Sequence, residues 1–406
     1  MRLTRLCTAL AAIGFAAAAQ AQGKGISDDV VKIGVLTDMS GVYSQGSGQG
    51  GVRAAEMAVQ DFGGKVLGKP IEVIYADHQN KADIGSAKAR EWLDIGKVDM
   101  ILDLVNSSVA IAVQKVAAEK RRVTITTAGG TVALTNQECS PYGIHYAYDT
   151  YALATGTGNA IVREGGKNWY MITADYTFGH ALERDVRNVV EKLGGKVTGS
   201  VKHPLNAPDF SSYILSAQTA KADVVALANA GGDFANAVRA AREFGLVKDG
   251  KPIIAGMIVL LTDLKALGLG VAQGMNYTDP FYWDMDEQTR AWSQRFHQVH
   301  KAMPTFSQAA NYSATMQYLK AVQAAGTDDP DAVMKQMRAT RFSDFFLRNA
   351  YLRPDGRMIR DMYLMEVKKP ADSKGEWDLA RLKRVIPGEE AFMPLSQSAC
   401  PLVAKR

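Results

Sequence analysis

The sequence has only three cysteines and a single long apolar run, which covers residues 6–19. No other segment approaches the ~18 apolar residues that a membrane-spanning helix needs. Basic residues are not clustered either, because residues 120–122, Lys-Arg-Arg, form an isolated triplet. The chain beyond the first run therefore gives no sign of a membrane-spanning protein, and nucleic acid is a poor candidate partner.

Catalytic and metal-binding motifs are also missing. The sequence contains no G-x-S-x-G elbow and no H-E-x-x-H motif. His297 and His300 could share a helical face, but neither Cys nor Glu stands near them at ligand spacing, so a solvated face is favoured. We therefore predict no catalytic residue, no metal and no cofactor.

Residues 46–51, Gly-Ser-Gly-Gln-Gly-Gly, satisfy the dinucleotide-binding pattern G-x-G-x-x-G. In a dinucleotide site these glycines directly follow the first strand, but here residues 38–45 intervene. Such a loop cannot make the tight turn that places a pyrophosphate at a helix N-terminus. The segment instead predicts a flexible glycine-rich lip over a cleft.

The first 21 residues have the pattern of a cleaved signal peptide. Arg2 and Arg5 precede the apolar run, and residues 19–21, Ala-Gln-Ala, supply the small-x-small cleavage site. Cys7 lies early in the run rather than just after it, where a lipid-anchored cysteine would stand. We expect a mature protein that begins at Gln22, is exported and is not anchored to the membrane.

Cleavage would leave two cysteines, Cys139 and Cys400. In an oxidising compartment a surviving pair favours a disulfide, which would hold the C-terminal tail of the mature chain. Two buried free thiols are the alternative.

Short β-branched runs alternate with helical stretches through the first two thirds of the chain. The predicted strands are 31–37, 71–76, 99–105, 123–126, 169–173, 196–201, 224–228 and 252–255. The predicted helices are 52–62, 82–95, 109–119, 152–164, 180–193, 210–220 and 234–244. This βαβα order, with strands that are apolar throughout, indicates parallel sheets covered on both faces. We predict an α/β fold of two consecutive doubly wound, Rossmann-like lobes.

The last third of the sequence has a different pattern, with few predicted strands of its own. Helices are predicted at 285–302, 308–325 and 331–337, followed by a strand at 362–367 and a polar tail. This third should complete the two lobes, so that the chain crosses between them more than once, as a hinge requires. We place lobe 1 at 28–147 plus 279–362, and lobe 2 at 148–278 plus 363–406.

Hydroxyl groups and glycines follow two neighbouring predicted strands of lobe 1. Ser107 and Ser108 come after the strand 99–105, and residues 126–131, Thr-Thr-Ala-Gly-Gly-Thr, follow the next strand. The carboxyl ends of parallel strands are where such sheets bind ligands, and helix N-termini add free amide groups there. Ser107, Ser108, Gly129, Gly130 and Thr131 therefore predict a neutral anion cradle suited to a carboxylate, although a plain helix cap is a compatible alternative.

These features together resemble the periplasmic solute-binding proteins of branched-chain amino acid ABC transporters, over nearly the whole mature sequence. Each motif is weak alone, but their order and spacing together are specific. The motifs that carry the resemblance are residues 31–41, 54–59, 77–80, 107–108, 128–131, 175–179 and 239–245. The resemblance implies the type I periplasmic binding protein fold with a multi-strand hinge, capture of a small molecule between closing lobes, an ABC permease as partner, and a freely diffusing monomer in the periplasm.

The sequence departs from this family where the ligand's amino group would bind. Phe178 stands where the amino-acid binders have a tyrosine, and another family tyrosine aligns with Ala230. The acidic partner of the ammonium group aligns near Met257. Burying an ammonium without a charged partner would cost several kcal/mol. Phe178, Ala230 and Met257 are thus expected to line the far wall of the pocket, with Tyr43 or Gln45 covering its mouth.

We therefore expect a binding protein for a carboxylate with an aromatic or other apolar body. Branched-chain amino acids remain an alternative ligand. A ligand-sensing module for a periplasmic signalling partner and an exported enzyme are alternative functions.

Overall fold

The computed structural model describes residues 25–248 and 250–403. The predicted signal peptide lies outside these residues. The described chain forms two α/β lobes joined by antiparallel strands, which confirms the predicted fold class.

Lobe 1 is built on a six-stranded sheet with the order β2-β3-β1-β4-β5-β6. Its strands are β1 Val31–Thr37, β2 Lys65–Val66, β3 Lys69–Asp77, β4 Met100–Asp103, β5 Val123–Thr126 and β6 Gly143–His145. All pairs are parallel except β2 with β3. Its helices are α1 Gly48–Phe62, α2 Ala82–Asp94 and α3 Ser107–Glu119. Apolar side chains of β1 point alternately to the α1 side and to the side of α2 and α3, so both faces of the sheet are buried.

Lobe 2 has a four-stranded parallel sheet with the order β10-β9-β7-β8. Its strands are β7 Asn168–Ala174, β8 Lys196–His203, β9 Val224–Ala228 and β10 Ile253–Gly256. Its helices are α4 Thr150–Leu153, α5 Asn159–Arg163, α6 Thr177–Lys192, α7 Ser211–Ala220, α8 Gly232–Glu243, α9 Leu261–Leu267 and α10 Leu269–Ala272. Residues Ala154–Gly158 are π-helical and join α4 to α5.

The last third of the described chain adds four α-helices and two small antiparallel sheets. The helices are α11 Glu287–His300, α12 Phe306–Ala325, α13 Pro330–Ala339 and α14 Gly388–Ala391; α12 packs along α1. The strands are β11 Asn276–Asp279, β12 Arg341–Phe342, β13 Ala350–Leu352, β14 Met358–Ile359, β15 Met362–Val367 and β16 Ala380–Ile386. Strands β11, β15 and β16 form one antiparallel sheet, which is the hinge, and β12, β13 and β14 form the other.

The expectation of a plain polar tail after residue 367 is wrong. Strand β16 lies there and pairs with β15. Five consecutive residues of β16, 381–385, are exposed, so the strand buries no alternating apolar face. Period-2 patterning is the sequence signal of a half-buried strand, and β16 lacks it.

The glycine-rich segment is not a flexible lip. Gly48, Gly50 and Gly51 lie in the first turn of α1 and are buried, the last two against α12. A Cβ atom on Gly50 would lie 2.2 Å from the Gln308 side-chain nitrogen, and one on Gly51 would lie 2.5 Å from that of Asn311. The glycines therefore let two helices approach closely.

The hinge contains a buried carboxyl group with a strongly shifted pKa. Asp279 ends β11, is 6% exposed and accepts a hydrogen bond of 2.9 Å from the Phe281 backbone N–H. Burial raises the pKa of Asp279 to about 8, far above its ordinary value of about 3.9. A raised folded-state pKa contributes stability that is complete below the unfolded-state pKa and is lost as the pH rises through the folded-state value.

We therefore expect the Tm of the wild type to fall between about pH 5.5 and about pH 8.5, and the fall to be smaller in Asp279→Asn. Differential scanning calorimetry at several pH values measures both slopes. Because burial also raises the pKa of Asp99 and of Asp263, each to about 7, the variant keeps part of the slope. Equal slopes in the two proteins would contradict the role given to Asp279.

Candidate ligand-binding site

A cavity lies between the two lobes, with about 390 Å³ of space free of protein atoms and partly open to solvent. Its walls are formed by Tyr43, Gly46, Val105, Ala128, Tyr148, Tyr176, Phe178, Ala230, Ile258, Leu260, Phe306 and Ser307.

Half of these residues stand just beyond the carboxyl ends of parallel strands. Such residues follow β4, β5, β7, β9 and β10, and they are Val105, Ala128, Tyr176, Phe178, Ala230 and Ile258. Open α/β sheets bind ligands at these ends. In both lobes, the carboxyl ends of the parallel strands therefore face the same cavity.

The loop after β1 brings Tyr43 to the cavity. Asp38 is fully buried, and its carboxylate accepts hydrogen bonds from the backbone N–H groups of Gly41 at 2.6 Å and of Tyr43 at 2.9 Å. One acidic side chain thereby fixes the course of the loop.

The lobes touch each other across the cleft. The hydroxyl oxygens of Tyr43 and Tyr176 are 2.6 Å apart, and those of Ser108 and Thr177 are 2.7 Å apart. The Gly232 N–H also donates to the Val42 carbonyl at 3.1 Å. The structure is therefore in a closed arrangement of the lobes.

Gly231 is required at this contact. Its φ is +59°, which favours glycine, and a Cβ atom there would lie 2.3 Å from the Val42 carbonyl oxygen. A larger residue would hold the lobes apart.

The cavity is aromatic and carries no charged side chain among its lining residues. Tyr148 and Phe306 pack edge to face with ring centroids 5.0 Å apart. Burial raises the pKa of the Tyr43, Tyr148 and Tyr176 hydroxyls, so these groups stay protonated and neutral. The surroundings therefore offer hydroxyl groups and apolar surface but no counter-ion.

Tyr43 and Tyr176 have one more proton than their mutual hydrogen bond uses. Each hydroxyl can donate once, and among the described residues the only hydrogen bond of either one is the bond to the other. The Tyr148 hydroxyl, in contrast, donates to the Ala128 carbonyl at 2.8 Å. The Tyr43–Tyr176 pair can thus donate one hydrogen bond to a ligand.

Three of the predicted site residues line the cavity: Tyr43, Phe178 and Ala230. Gly130 lies directly behind the wall, because a Cβ atom there would come within 3 Å of the rings of Tyr148 and Phe178. Met257 is fully buried, and its neighbour Ile258 faces the cavity instead.

The predicted carboxylate cradle forms hydrogen bonds within itself. The Ser107 hydroxyl oxygen accepts from the N–H groups of Gly130 at 3.2 Å and of Thr131 at 3.1 Å. Ser108 bonds to Thr177 across the cleft, and a Cβ atom on Gly129 would lie 2.5 Å from the Leu104 carbonyl oxygen. The five cradle residues are close together, but none of them lines the cavity in this closed form.

Gln45 lies in a second space, an outer groove at the mouth of the cleft that also borders Arg239, Lys265 and Trp377. Gly46 and Leu260 line both the groove and the cavity. A Cβ atom on Gly46 would lie 2.4 Å from a Leu260 methyl group, so these two residues separate the spaces.

Several lining residues are not among those predicted from the sequence. Val105, Ala128 and Ile258 are each one or two positions from a predicted residue, and Tyr176 stands inside the motif 175–179 that resembles the family. Tyr148, Leu260, Phe306 and Ser307 carried no local signal. Phe306 and Ser307 begin α12, which reaches the site only because the chain crosses back to lobe 1.

The predicted disulfide is present. The sulfurs of Cys139 and Cys400 are bonded, which ties the C-terminal segment to the loop before β6 of lobe 1.

None of the helices that the structure describes combines the length and apolar composition needed to cross a membrane. The described residues also contain no group of three or more His, Cys, Asp or Glu side chains that could hold a metal ion.

A family model described as "Periplasmic binding protein" matches residues 30–376. The chain belongs to this periplasmic binding protein family. Members of the family are solute-binding proteins rather than enzymes, and they work with ABC transporter permeases. The protein is therefore a periplasmic substrate-binding protein of an ABC transporter. Among curated proteins, no significant match was found.

Solved structures of periplasmic binding proteins show the same architecture. One from Burkholderia mallei is 53% identical, with a TM-score of 0.90, and the match covers 92% of this chain and 99% of that one. A branched-chain amino acid ABC transporter periplasmic ligand-binding protein from Burkholderia xenovorans is 40% identical, with a TM-score of 0.81 and coverage of 92% and 99%. A solute-binding protein from Rhodopseudomonas palustris in complex with 3,4-dihydroxybenzoic acid is 20% identical, with a TM-score of 0.79 and coverage of 89% and 98%; it shows the fold alone.

Proposed function

We propose that this protein captures a small carboxylic acid with an apolar, preferably aromatic, body and delivers it to an ABC importer. The observation that carries the proposal is the composition of the cavity wall: five aromatic side chains, aliphatic residues, and no charged group. Flat aromatic acids suit such a wall, because rings pack on rings and bury apolar area.

A zwitterionic amino acid suits this wall poorly. Its ammonium group would lose water without gaining a carboxylate partner, which costs several kcal/mol. The nearest acidic residue along the chain after Met257 is Asp263, and its carboxylate accepts from the Leu260 N–H at 3.1 Å as part of the cap of α9. Asp263 does not line the cavity.

The ligand's carboxylate has two candidate positions. The Tyr43–Tyr176 pair can donate one charge-assisted hydrogen bond from within the cavity wall. The predicted cradle can donate two more if the ligand displaces the Ser107 hydroxyl from the N–H groups of Gly130 and Thr131. Both positions use neutral donors.

Structures with this fold are in complex with benzoate and with 4-hydroxybenzoate. They support the proposal only in that the fold has room for aromatic acids. The name of the Burkholderia xenovorans relative favours a second candidate ligand class, the branched-chain amino acids.

Isothermal titration calorimetry of protein refolded free of ligand, with leucine, valine, benzoate and 4-hydroxybenzoate, tests the proposal. We expect at least one aromatic acid to bind and leucine not to bind. Tight leucine binding without aromatic-acid binding would overturn the proposal. Mass spectrometry of ligand released from protein purified from its native periplasm would identify the natural compound.

We also propose that the mature protein begins at Gln22, diffuses freely as a monomer and presents its closed form to the permease. Ligand binding would shift the population of open and closed lobes, since only the closed form contacts the ligand from both sides. The predicted lobe boundaries remain part of this proposal; the tail that they assign to lobe 2 is bonded to lobe 1 through Cys139.

A further inference from the structure

A chain of buried hydrogen bonds runs from the interior of lobe 1 to the cavity wall. Asp103, at the end of β4, is fully buried, and its Oδ2 accepts hydrogen bonds from the Ser47 hydroxyl and from the Asn311 side-chain amide, the latter at 2.7 Å. The Ser307 hydroxyl is 3.0 Å from the Ser47 hydroxyl. Ser307 lines the cavity and is 2% exposed.

The direction of each hydrogen bond in this chain is fixed. A carboxylate oxygen can only accept, so Ser47 must give its single proton to Asp103. The Ser47 oxygen can then only accept, so Ser307 must give its single proton to Ser47. The Ser307 hydroxyl therefore has no proton left for a ligand and can only accept a hydrogen bond from one.

Protonation of Asp103 leaves this order unchanged. Burial raises the pKa of Asp103 to about 6. Its Oδ2 already accepts two hydrogen bonds, whereas Oδ1 is buried and forms none of normal length among the described residues, although the Thr37 hydroxyl lies near the carboxyl group. A proton would therefore go to Oδ1, and Ser47 would still donate to Oδ2.

The backbone at this point is also unusual. Asp103 and Leu104 have φ values of +85° and +56°. Non-glycine residues rarely adopt this region, and such strain persists where the surrounding structure requires it. Here it accompanies the turn of the chain from β4 toward the cavity.

We propose that Ser307 determines ligand specificity by accepting a hydrogen bond, so that the preferred ligand carries a hydroxyl or amino donor on its apolar body in addition to its carboxylate. Ser47 and Asp103 are positioning residues that keep Ser307 an acceptor. The inference rests on the proposed function, because it concerns the same cavity. A ligand without a donor would leave the Ser307 lone pairs buried and unpartnered, which lowers affinity.

Ring substituents of similar size test this inference. Calorimetric titrations would compare the 3- and 4-substituted hydroxy-, amino- and fluorobenzoates with benzoate. In the wild type we expect a hydroxy or amino compound to bind about tenfold or more tightly than its fluoro counterpart. In Ser307→Ala this difference should vanish, while benzoate still binds.

The Ser47→Ala variant distinguishes the effect of the Ser307 hydroxyl's orientation from the effect of the shape of the cavity wall. Ser307 is retained in this variant, but its proton loses its acceptor and becomes free to donate to a ligand. The preference for donor-bearing compounds should therefore shrink although the cavity wall is unchanged. Ser313→Ala is the matched control, because Ser313 lies on the same helix, is buried, donates a hydrogen bond to Asp344 and does not line the cavity. This variant should keep the wild-type preference for donor-bearing compounds. Melting temperatures verify that each variant is folded.

The possible failures are distinct. If aromatic acids bind but the fluoro compounds equal the hydroxy and amino compounds, or if the preference survives in Ser307→Ala, the role of Ser307 is overturned and the proposed function stands. If no aromatic acid binds and leucine does, the proposed function fails and this inference fails with it.

Discussion

We expect the Ala230→Tyr variant to fold and to lose its ligand. Ala230 follows β9, is 7% exposed and lines the cavity. A phenol ring at this position would occupy the space that the ligand needs and would meet the rings on the opposite wall when the lobes close. Overpacking of a closed site costs roughly 1–3 kcal/mol before the lost ligand contacts are counted, so the Kd should rise by about 100-fold or more.

The fold should tolerate this change, because in an open arrangement the ring can lie in the solvent-filled cleft. We expect a Tm close to that of the wild type without ligand, and no rise in Tm when ligand is added. Ala371→Tyr is the control, since residue 371 is exposed and far along the chain from any lining residue; it should bind normally. Binding by Ala230→Tyr within a few-fold of the wild type would show that the ligand lies elsewhere.

The sequence predicted the segments of the site better than its individual residues. The alternation of strands and helices located the strand ends, and the carboxyl ends of β4, β5, β7, β9 and β10 do border the cavity. Val105 rather than Ser107 faces it after β4. Which residue faces the cavity here depends on the left-handed backbone at Asp103 and Leu104, which sequence periodicity does not reveal.

Contributions from distant segments were not predictable from local patterns. Ser307 reaches the cavity because α12 packs against the glycines of α1, and Thr305 caps α12 while its hydroxyl donates to the Gly46 carbonyl. The glycine pattern was visible in the sequence, but the helix that packs on it lies about 260 residues away. Only the assembled topology shows that the glycines serve helix packing.

The second large effect concerns the disulfide. We expect the Cys139→Ser/Cys400→Ser double variant to lose several kcal/mol of unfolding free energy. The bond joins residues 261 positions apart, and the loop-entropy relation gives about 5–6 kcal/mol as an upper value for such a loop. Strain and residual structure in the unfolded chain reduce this figure, so a loss of about 2–5 kcal/mol is expected. The affinity for ligand should not change, because neither cysteine lines the cavity.

Urea denaturation followed by circular dichroism measures this loss, and reduction supplies the control. The wild type in a reducing agent should fall to the stability of the double variant, whereas the variant itself should not respond to the agent. If the bond acts on the unfolded chain, its removal should also increase the m-value, because the released chain exposes more surface. An unchanged unfolding free energy after reduction would mean that the C-terminal segment is held by other contacts, such as the hydrogen bond of 2.8 Å from Arg353 to the Met393 carbonyl and the packing of Arg357 on Phe392.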